Sequence, residues 1–558
     1  MRFNFKTKGL FSVQRVTRRF FVQAVAASCL VAAAAMYSPL SVANPPASPK
    51  GQVVVGLSQE PTVFHPLISS IEVDHGVWWN VYDPLWAADE NGEFIPKLAV
   101  EVPSVENGGV SEDGRTWHVK LRDDVVWHDG TPFTAEDVKY TLELINNPEF
   151  NARTRQGHEY VQDIEIINDH EIRWTMSEVY APYVSQLSST FITPKHILEK
   201  DEDINRSSLS RQPIGTGPFK FKERVSGDRV TLVANEDYFG DGPYLEELVF
   251  KYIPDLNALY SQFRTGQIDM VGIRGIPHNF YDEIKEVEGL TVLPVPIASI
   301  EGVAINHGHP ILKEKAVRHA LYHAINKEAI AELLYFGLPE LTESYLPKTS
   351  WAYNPDLPEH TFDKELAKQI LEEAGWKVGA DGIREKDGER LAFTISTTSG
   401  DELRAQTQQL IQQDWKDIGV DLSINNMPAA VVWGDFWFKS EFDSVLVSVN
   451  YMTGNDPDTT YRFHSNAIQA QGGSGSNVGQ YINEDVDDLL ERGQRSMDLE
   501  ERKEIYQEMQ EIMRDDLVIL PLYQMVRVKG HKDGLNGFAP NVNVLSNAWN
   551  AGSWYWDE

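Results

Sequence analysis

The side chains whose types and spacing bear on chemistry are few. His319 and His323 stand four residues apart on an expected helix, a spacing that puts two imidazoles on one face, where they would grip a metal ion. No third ligand is identifiable, so two ordinary histidines on a helix face is the favoured reading. His307-Gly308-His309 meets the same objection, and no metal is expected. Asp456 and Asp458 flank Pro457 and imitate the carboxylate pair of a glycosidase, which spans a sugar site about 5–10 Å wide. No acid-tuning environment or signature accompanies them, so catalysis is not expected there. Walker, HExxH, GxSxG and dinucleotide patterns are missing from the sequence. The expectation is a protein that is not an enzyme and carries no cofactor.

Aromatic side chains also gather: Trp78 and Trp79 with Tyr82 and Trp86, Trp433 with Phe436 and Trp437, and Tyr451 with Tyr461. Such rings offer stacking faces to a ligand, although for any single ring core packing is the commoner use. The stretch Asn80 to Leu85 is too polar on one face to be all core.

The elements that must position these groups alternate in type. Val53–Leu57, Trp117–Leu121, Arg229–Ala234 and Glu247–Ile253 read as strands. Thr134 opens an amphipathic helix through Leu144, Val317–Leu334 reads as one helix, and Asp363–Ala374 is a helix stopped by Gly375. Leu499–Arg514 is a helix with a charged face, followed by the apolar run Leu517–Leu522. Gln471–Ser476 reads as a flexible loop tip. Strands and helices mixed throughout predict α/β layers.

Composition sets the outer bounds. The chain has 558 residues, 42% hydrophobic and 24% charged, which is three or four domains' worth at roughly 150 residues each. Its net charge is −33, from 50 basic against 83 acidic residues, and such a chain repels phosphate backbones, so no nucleic acid is expected as a partner. Residues Met1–Ala43 hold six basic residues and no acidic one, so the remainder stands at −39. Within them, Phe20–Met36 is an apolar run ending shortly before the small-residue stretch Ser41-Val42-Ala43, and Thr17–Gln23 (TRRFFVQ) has the look of a twin-arginine export signal. The only cysteine, Cys29, lies inside this leader, so disulfides and thiol chemistry are excluded from the body that follows. No later segment approaches 18 apolar residues, and the body is expected to be soluble and periplasmic.

Several segments, taken in order, resemble the family 5 solute-binding proteins of ABC importers. They include Ile95–Ala99 (IPKLA), Ser111–Trp117 (SEDGRTW), the long run Leu121–Val138 (LRDDVVWHDGTPFTAEDV), Pro213–Phe221 (PIGTGPFKF), Asn235–Phe239 (NEDYF), Ala316–Leu321 with Ala324–Ile330, and Ala367–Trp376 (AKQILEEAGW). Read physically, Asp129–Pro132 is a turn, Thr134 a helix start, and Gly215–Pro218 a backbone crossing that a side chain would obstruct, so these motifs look like scaffold.

The resemblance implies a two-lobed, type II periplasmic-binding-protein-like fold with an inserted subdomain. One lobe would comprise residues 44–88, 213–298 and 527–558, the insert 89–212, and the other lobe 299–526, with crossing strands near Ala298–Ile305 and Leu520–Val528. It also implies a monomer that captures a small solute and hands it to ABC permease subunits. The solute expected is a peptide or peptide-like molecule, with an oligosaccharide as the alternative. The candidate ligand contacts are His65, Trp78, Trp79, Tyr82, Trp433, Trp437, Asn450, Tyr451, Thr453, Asp456 and Tyr523. In peptide-binding relatives an aspartate four positions before the proline of the Asp-Pro segment captures the ligand's amino terminus. The aligned residue here is Thr453, which hydrogen-bonds an ammonium without neutralising it, unless Asp456 substitutes. Sequencing the amino terminus of the exported protein is expected to begin near Asn44, and an intact Met1 there would contradict the leader.

Overall fold

The computed structural model describes residues 44–557 apart from 70, 545 and 547. The export leader expected at Met1–Ala43 lies outside the described residues. The longer strands are β1 (Gln52–Leu57), β2 (Thr116–Lys120), β3 (Val161–Asn168), β4 (Glu171–Met176), β5 (Phe219–Val225), β6 (Arg229–Ala234), β7 (Glu247–Tyr252), β8 (Met270–Ile276), β9 (Leu290–Ile305), β10 (Ala392–Ser396), β11 (Asp421–Ile424), β12 (Ser444–Val449) and β13 (Ile519–Lys532). All except β2–β4 join one large mixed sheet in the order β11-β10-β12-β9-β13-β8-β1-β7-β6-β5, with the short strand Glu340–Leu341 also on β13. β2, β4 and β3 form a separate antiparallel sheet within the segment expected as an insert.

The two long strands β9 and β13 run antiparallel through the middle of this sheet, from Leu290 opposite Lys532 to Ala304 opposite Ile519. Their register shifts between Pro296 and Ile300, where Val526 and Gln524 lie opposite. On one side of this crossing, β8, β1 and β7 are covered by a core that includes Val53, Phe250, Met270 and Trp86 and extends into the insert through Trp117 and Trp174. On the other, β12, β10 and β11 carry two further cores, one around Trp415 and Leu520 and one around Tyr506 and Val447. The result is the expected mixed α/β, two-lobed architecture.

Helix ends follow side-chain chemistry. α1 (Glu72–Val81) is buried along almost its whole length, and α2 (Ala135–Asn146) starts at Thr134, whose N–H donates to Asp137 at 3.0 Å. The same carboxylate accepts from Trp127 Nε1 at 3.2 Å and from the Lys195 N–H at 3.0 Å, so Asp137 ties the Leu121–Val138 motif to the next segment. Residues 317–334 form two helices where one was expected, α3 (Lys315–His323) and α4 (Lys327–Tyr335). The break has a local cause: Asn326 Oδ1 accepts from the Ala329 N–H at 2.9 Å, capping a new helix start inside an unbroken apolar periodicity. α5 (Lys364–Glu373) begins at the cap Asp363, and α6 (Leu499–Asp516) at the cap Asp498. The apolar run after α6 enters β13.

The Gly-Thr-Gly-Pro crossing is scaffold, as its composition suggested. The Gly217 N–H donates to Val81 O at 2.9 Å, and Thr216 Oγ1 donates to the buried Asp83 at 2.9 Å. A Cβ on Gly215 would lie 1.8 Å from Val81 O, a backbone atom that cannot yield. Gly215→Ala is therefore expected to destabilise the protein by roughly 1–3 kcal/mol, read from the urea midpoint, with the denaturant slope unchanged.

Candidate functional site

A cavity of about 280 Å³ lies over the crossing strands. α1 contributes His75, Trp78 and Trp79 to its wall, and the insert contributes Arg153 and Gln186. β9 supplies Val295–Ser299 at the register shift, β13 supplies Arg527 and Lys529, and the loop after β12 supplies Asn450, Gly454 and Asn455. The carboxy-terminal stretch from Phe538 to Ser546 completes the enclosure. Both lobes and the insert thus face one space.

The aromatic part of the wall is ordered by packing. Trp79 meets Phe191 edge to face at 4.7 Å, Trp78 meets it at 4.8 Å, and His75 packs on Trp78 at 4.3 Å. Burial pushes the His75 imidazole down to about 3, with Arg153 adding to the effect, so the ring is neutral near pH 7. Trp78 Nε1 and His75 Nε2 are buried without a hydrogen-bond partner among the described residues. They are polar atoms a solute can engage.

The charged part of the wall is cationic. Arg153 Nη2 donates to Ser189 O at 2.5 Å, and its guanidinium lies 5.8 Å from the Trp78 ring. Arg527 forks onto Glu72 of α1, with Nη2 at 3.0 Å from Oε2. Lys529 is 4% exposed, with Nζ 3.5 Å from Ile273 O. Burial, with Arg527 beside it, pushes the Lys529 ammonium down to about 7, against a smaller opposing pull from Glu72. No aspartate or glutamate lines the cavity among the described residues.

Beside the cavity, the insert and the loop after β12 are joined by hydrogen bonds. Gln156 Nε2 donates to Thr453 Oγ1 at 3.1 Å, Tyr180 OH donates to Asp458 at 3.0 Å, and Asn455 Nδ2 donates to Gly92 O at 3.0 Å. Ser185 Oγ also donates to Asn455. Burial raises the Asp458 carboxyl above the usual range, helped by the nearby Asp456 charge and opposed by hydrogen bonds from Thr460 and Gln494.

Of the residues singled out from sequence, Trp78, Trp79 and Asn450 line the cavity. Thr453 stands next to the lining residue Gly454, but its hydroxyl is engaged: it accepts from Gln156 and donates to Asp458 O at 2.9 Å. Asp456 does not replace the amine-binding aspartate. Its two oxygens accept from Arg502 Nη1 and Nη2 at 2.8 and 2.7 Å, and both residues are buried, so its charge is already neutralised. Tyr82 and His65 are fully buried and pack elsewhere, His65 against Phe150. Tyr523 is buried against Tyr335. Trp437 and Tyr451 come together at a separate pocket of about 30 Å³, and Trp433 is 42% exposed beside Trp437. Three of the four histidines weighed as metal ligands engage backbone carbonyls, His319 with Asp515 O, His323 with Thr361 O and His307 with Val518 O, while His309 Nδ1 accepts from the Ile311 N–H at 3.2 Å and its Nε2 lies 3.6 Å from Asp443.

Sequence reasoning missed Arg153, Arg527 and Lys529. A signal existed for two of them: Val526-Arg527-Val528-Lys529 alternates apolar and basic residues along a strand, which puts both cations on one face. Arg153 lies in a loop and left no such trace.

The match to known proteins is consistent with this geometry. The family model for bacterial extracellular solute-binding proteins, family 5, matches residues 93–471. The chain belongs to that family, the binding proteins of ABC importers. It is 29% identical over 502 residues to the oligopeptide-binding protein AppA of Bacillus subtilis, covering 88% of this chain and 89% of the relative. It is 28% identical over 457 residues to the nickel-binding periplasmic protein of Escherichia coli, covering 79% and 83%. Among solved structures, AppA of Bacillus subtilis in complex with a nonapeptide superposes with a TM-score of 0.75 at 27% identity, covering 92% of this chain and 100% of that one. NikZ of Campylobacter jejuni in complex with Ni(L-His) gives 0.77 at 29% identity, covering 91% and 99%.

The Asp456–Arg502 pair supports the loop that carries Asn450 and Asn455. Arg502→Met leaves a buried carboxylate without its counter-charge and is expected to cost about 3–5 kcal/mol in chemical denaturation. The double variant Asp456→Asn, Arg502→Met is expected to lose less than the two single losses added together.

Proposed function

We propose that this chain is the capture component of a peptide importer: a periplasmic monomer, exported through a twin-arginine leader, that encloses a short peptide or peptide-like solute and presents it to an ABC permease. The observation that carries this reading is the cavity itself, walled at once by α1, the insert, the crossing strands and the loop after β12. At about 280 Å³ it lies near the lower end of the ~300–1,000 Å³ typical of ligand pockets, which favours a short solute. The division of lobes at residues 88/89, 212/213, 298/299 and 526/527 goes with it, since the cavity wall draws on each resulting part.

The mechanism follows from linkage. A solute that touches both lobes only when they are closed shifts the population toward closure. Moving the balance from 1:99 to 99:1 needs about 5.5 kcal/mol of preference for the closed form. The rings of Trp78 and Trp79 supply contact area, and the partnerless Trp78 Nε1 and His75 Nε2 supply orientation. The hydrogen bonds from Gln156, Ser185 and Asn455 between insert and loop are contacts of the closed form. No bond in the solute needs to break. The peptide relatives and the nonapeptide complex support the choice of solute.

Calorimetry with a pool of tri- to pentapeptides, together with small-angle scattering, tests this. The expected result is one-to-one binding, no cleavage product, and a smaller radius of gyration in the bound state. Absence of both heat and compaction across the pool would overturn the peptide reading.

A further inference from the structure

We propose that the cavity selects a peptide-like solute whose amino end is blocked or missing, such as an N-acylated or N-terminally cyclised peptide, because its wall offers hydrogen-bond donors and no carboxylate to meet an ammonium. This rests on the importer reading above and narrows it.

The uncommitted polar groups of the wall are donors or neutral amides. Trp78 is 2% exposed, and its Nε1, which can only donate, meets no acceptor among the described residues. Asn450 turns its Oδ1 to the Met452 N–H at 3.0 Å, which leaves the Nδ2 hydrogens for the cavity. Gln186 is 6% exposed, and its side-chain amide makes no hydrogen bond among the described residues. His75 is neutral and lacks a partner at Nε2. Arg153 stays charged: burial pushes its guanidinium down only to about 10, and the acceptor that holds it is the Ser189 carbonyl.

No aspartate or glutamate stands on this wall among the described residues. Behind it, Glu72 takes the fork of Arg527. In the loop after β12, Asp456 takes both terminal nitrogens of Arg502, and Asp458 accepts from Tyr180, Thr460 and Gln494. The Thr453 hydroxyl is engaged by Gln156 and by Asp458 O.

An ammonium carries three donors and no acceptor. Against this wall it sets donor against donor at Trp78 and Asn450, and it adds a positive charge to the space that Arg153 already faces. It also loses water without gaining a counter-charge, which is costly. A neutral oxygen hydrogen-bonds an ammonium without neutralising it. An acyl carbonyl in the same place is an acceptor for Trp78 Nε1 or Asn450 Nδ2 and brings no charge. The discrimination is thus built from what the wrong solute leaves unpaired as much as from what the right one gains.

Titration calorimetry on the full mature protein at pH 7 and fixed salt tests this with three probes: trialanine, N-acetyl-trialanine and propanoyl-dialanine, the last being trialanine with its amino group replaced by hydrogen. Both ammonium-free probes are expected to bind at least roughly tenfold tighter than trialanine, and within about threefold of each other. Asn450→Asp keeps the acceptor for the Met452 N–H and places a carboxylate on the wall; it is expected to tighten trialanine by about tenfold and to weaken the other two probes. Gln186→Glu is a second variant with the same expected sign, should Asn450→Asp fail to fold. Equal affinity for all three probes, or tighter binding of trialanine, would overturn the blocked-end inference and leave the peptide reading intact. A gain for the acetylated probe alone would also overturn it, since the gain would then come from contacts of the acetyl group. Binding of none of the three would overturn the reading of a short peptide-like solute and this inference with it.

Discussion

The structure depends on one pairing, that of Leu290–Ile305 with Ile519–Lys532. These strands run through the middle of the main sheet and tie its two sides together through their hydrogen bonds. A continuous antiparallel ladder is stiff along its length, yet it yields where the register slips. Here the slip falls between Pro296 and Ile300, and the residues released from regular pairing, Ile297–Ser299, line the cavity. Proline at 294 and 296 removes two backbone donors from the same region. The irregularity in the ladder thus coincides with the cavity.

Around that crossing, polar burial is divided between structure and recognition. Asp456 with Arg502, Glu301 with Arg404, and Asp83 with Thr216 are closed units: each buried charge or carboxyl has its partner in hydrogen-bond range. They fix loops and backbone crossings. The cavity wall is different in kind. Its ring nitrogens Trp78 Nε1 and His75 Nε2 are buried without a hydrogen-bond partner among the described residues. Buried polar groups require partners: the closed units find them within the chain, and the two ring nitrogens are open to a solute.

Membership of family 5 fits this division. The motifs that identify the family are scaffold. Asp137 knits the Leu121–Val138 run together, and the Gly215–Pro218 crossing packs on Val81 so closely that a Cβ has no room. The cavity wall draws on residues outside those motifs.

By itself the sequence determined the alternation of strands and helices, the helix starts at Thr134, Asp363 and Asp498, and the family. These rest on local chemistry: a capping side chain, a period of apolar residues, a turn that needs glycine. It misjudged residues 317–334, because the cap at Asn326 competes with an apolar periodicity that continues unbroken through it. It singled out Trp78, Trp79 and Asn450, which line the cavity, together with Tyr82, His65 and Tyr523, which are buried away from it, because a ring or an imidazole has the same local signature whether it faces a cavity or a neighbour. Only the tertiary structure decided which side chains share one space. Arg153, Asn450 and Lys529 are distant in the chain and meet only because the crossing strands bring the insert, the loop after β12 and the carboxy-terminal segment to one point. Burial and charge complementarity are properties of that meeting, and no segment read alone contains them.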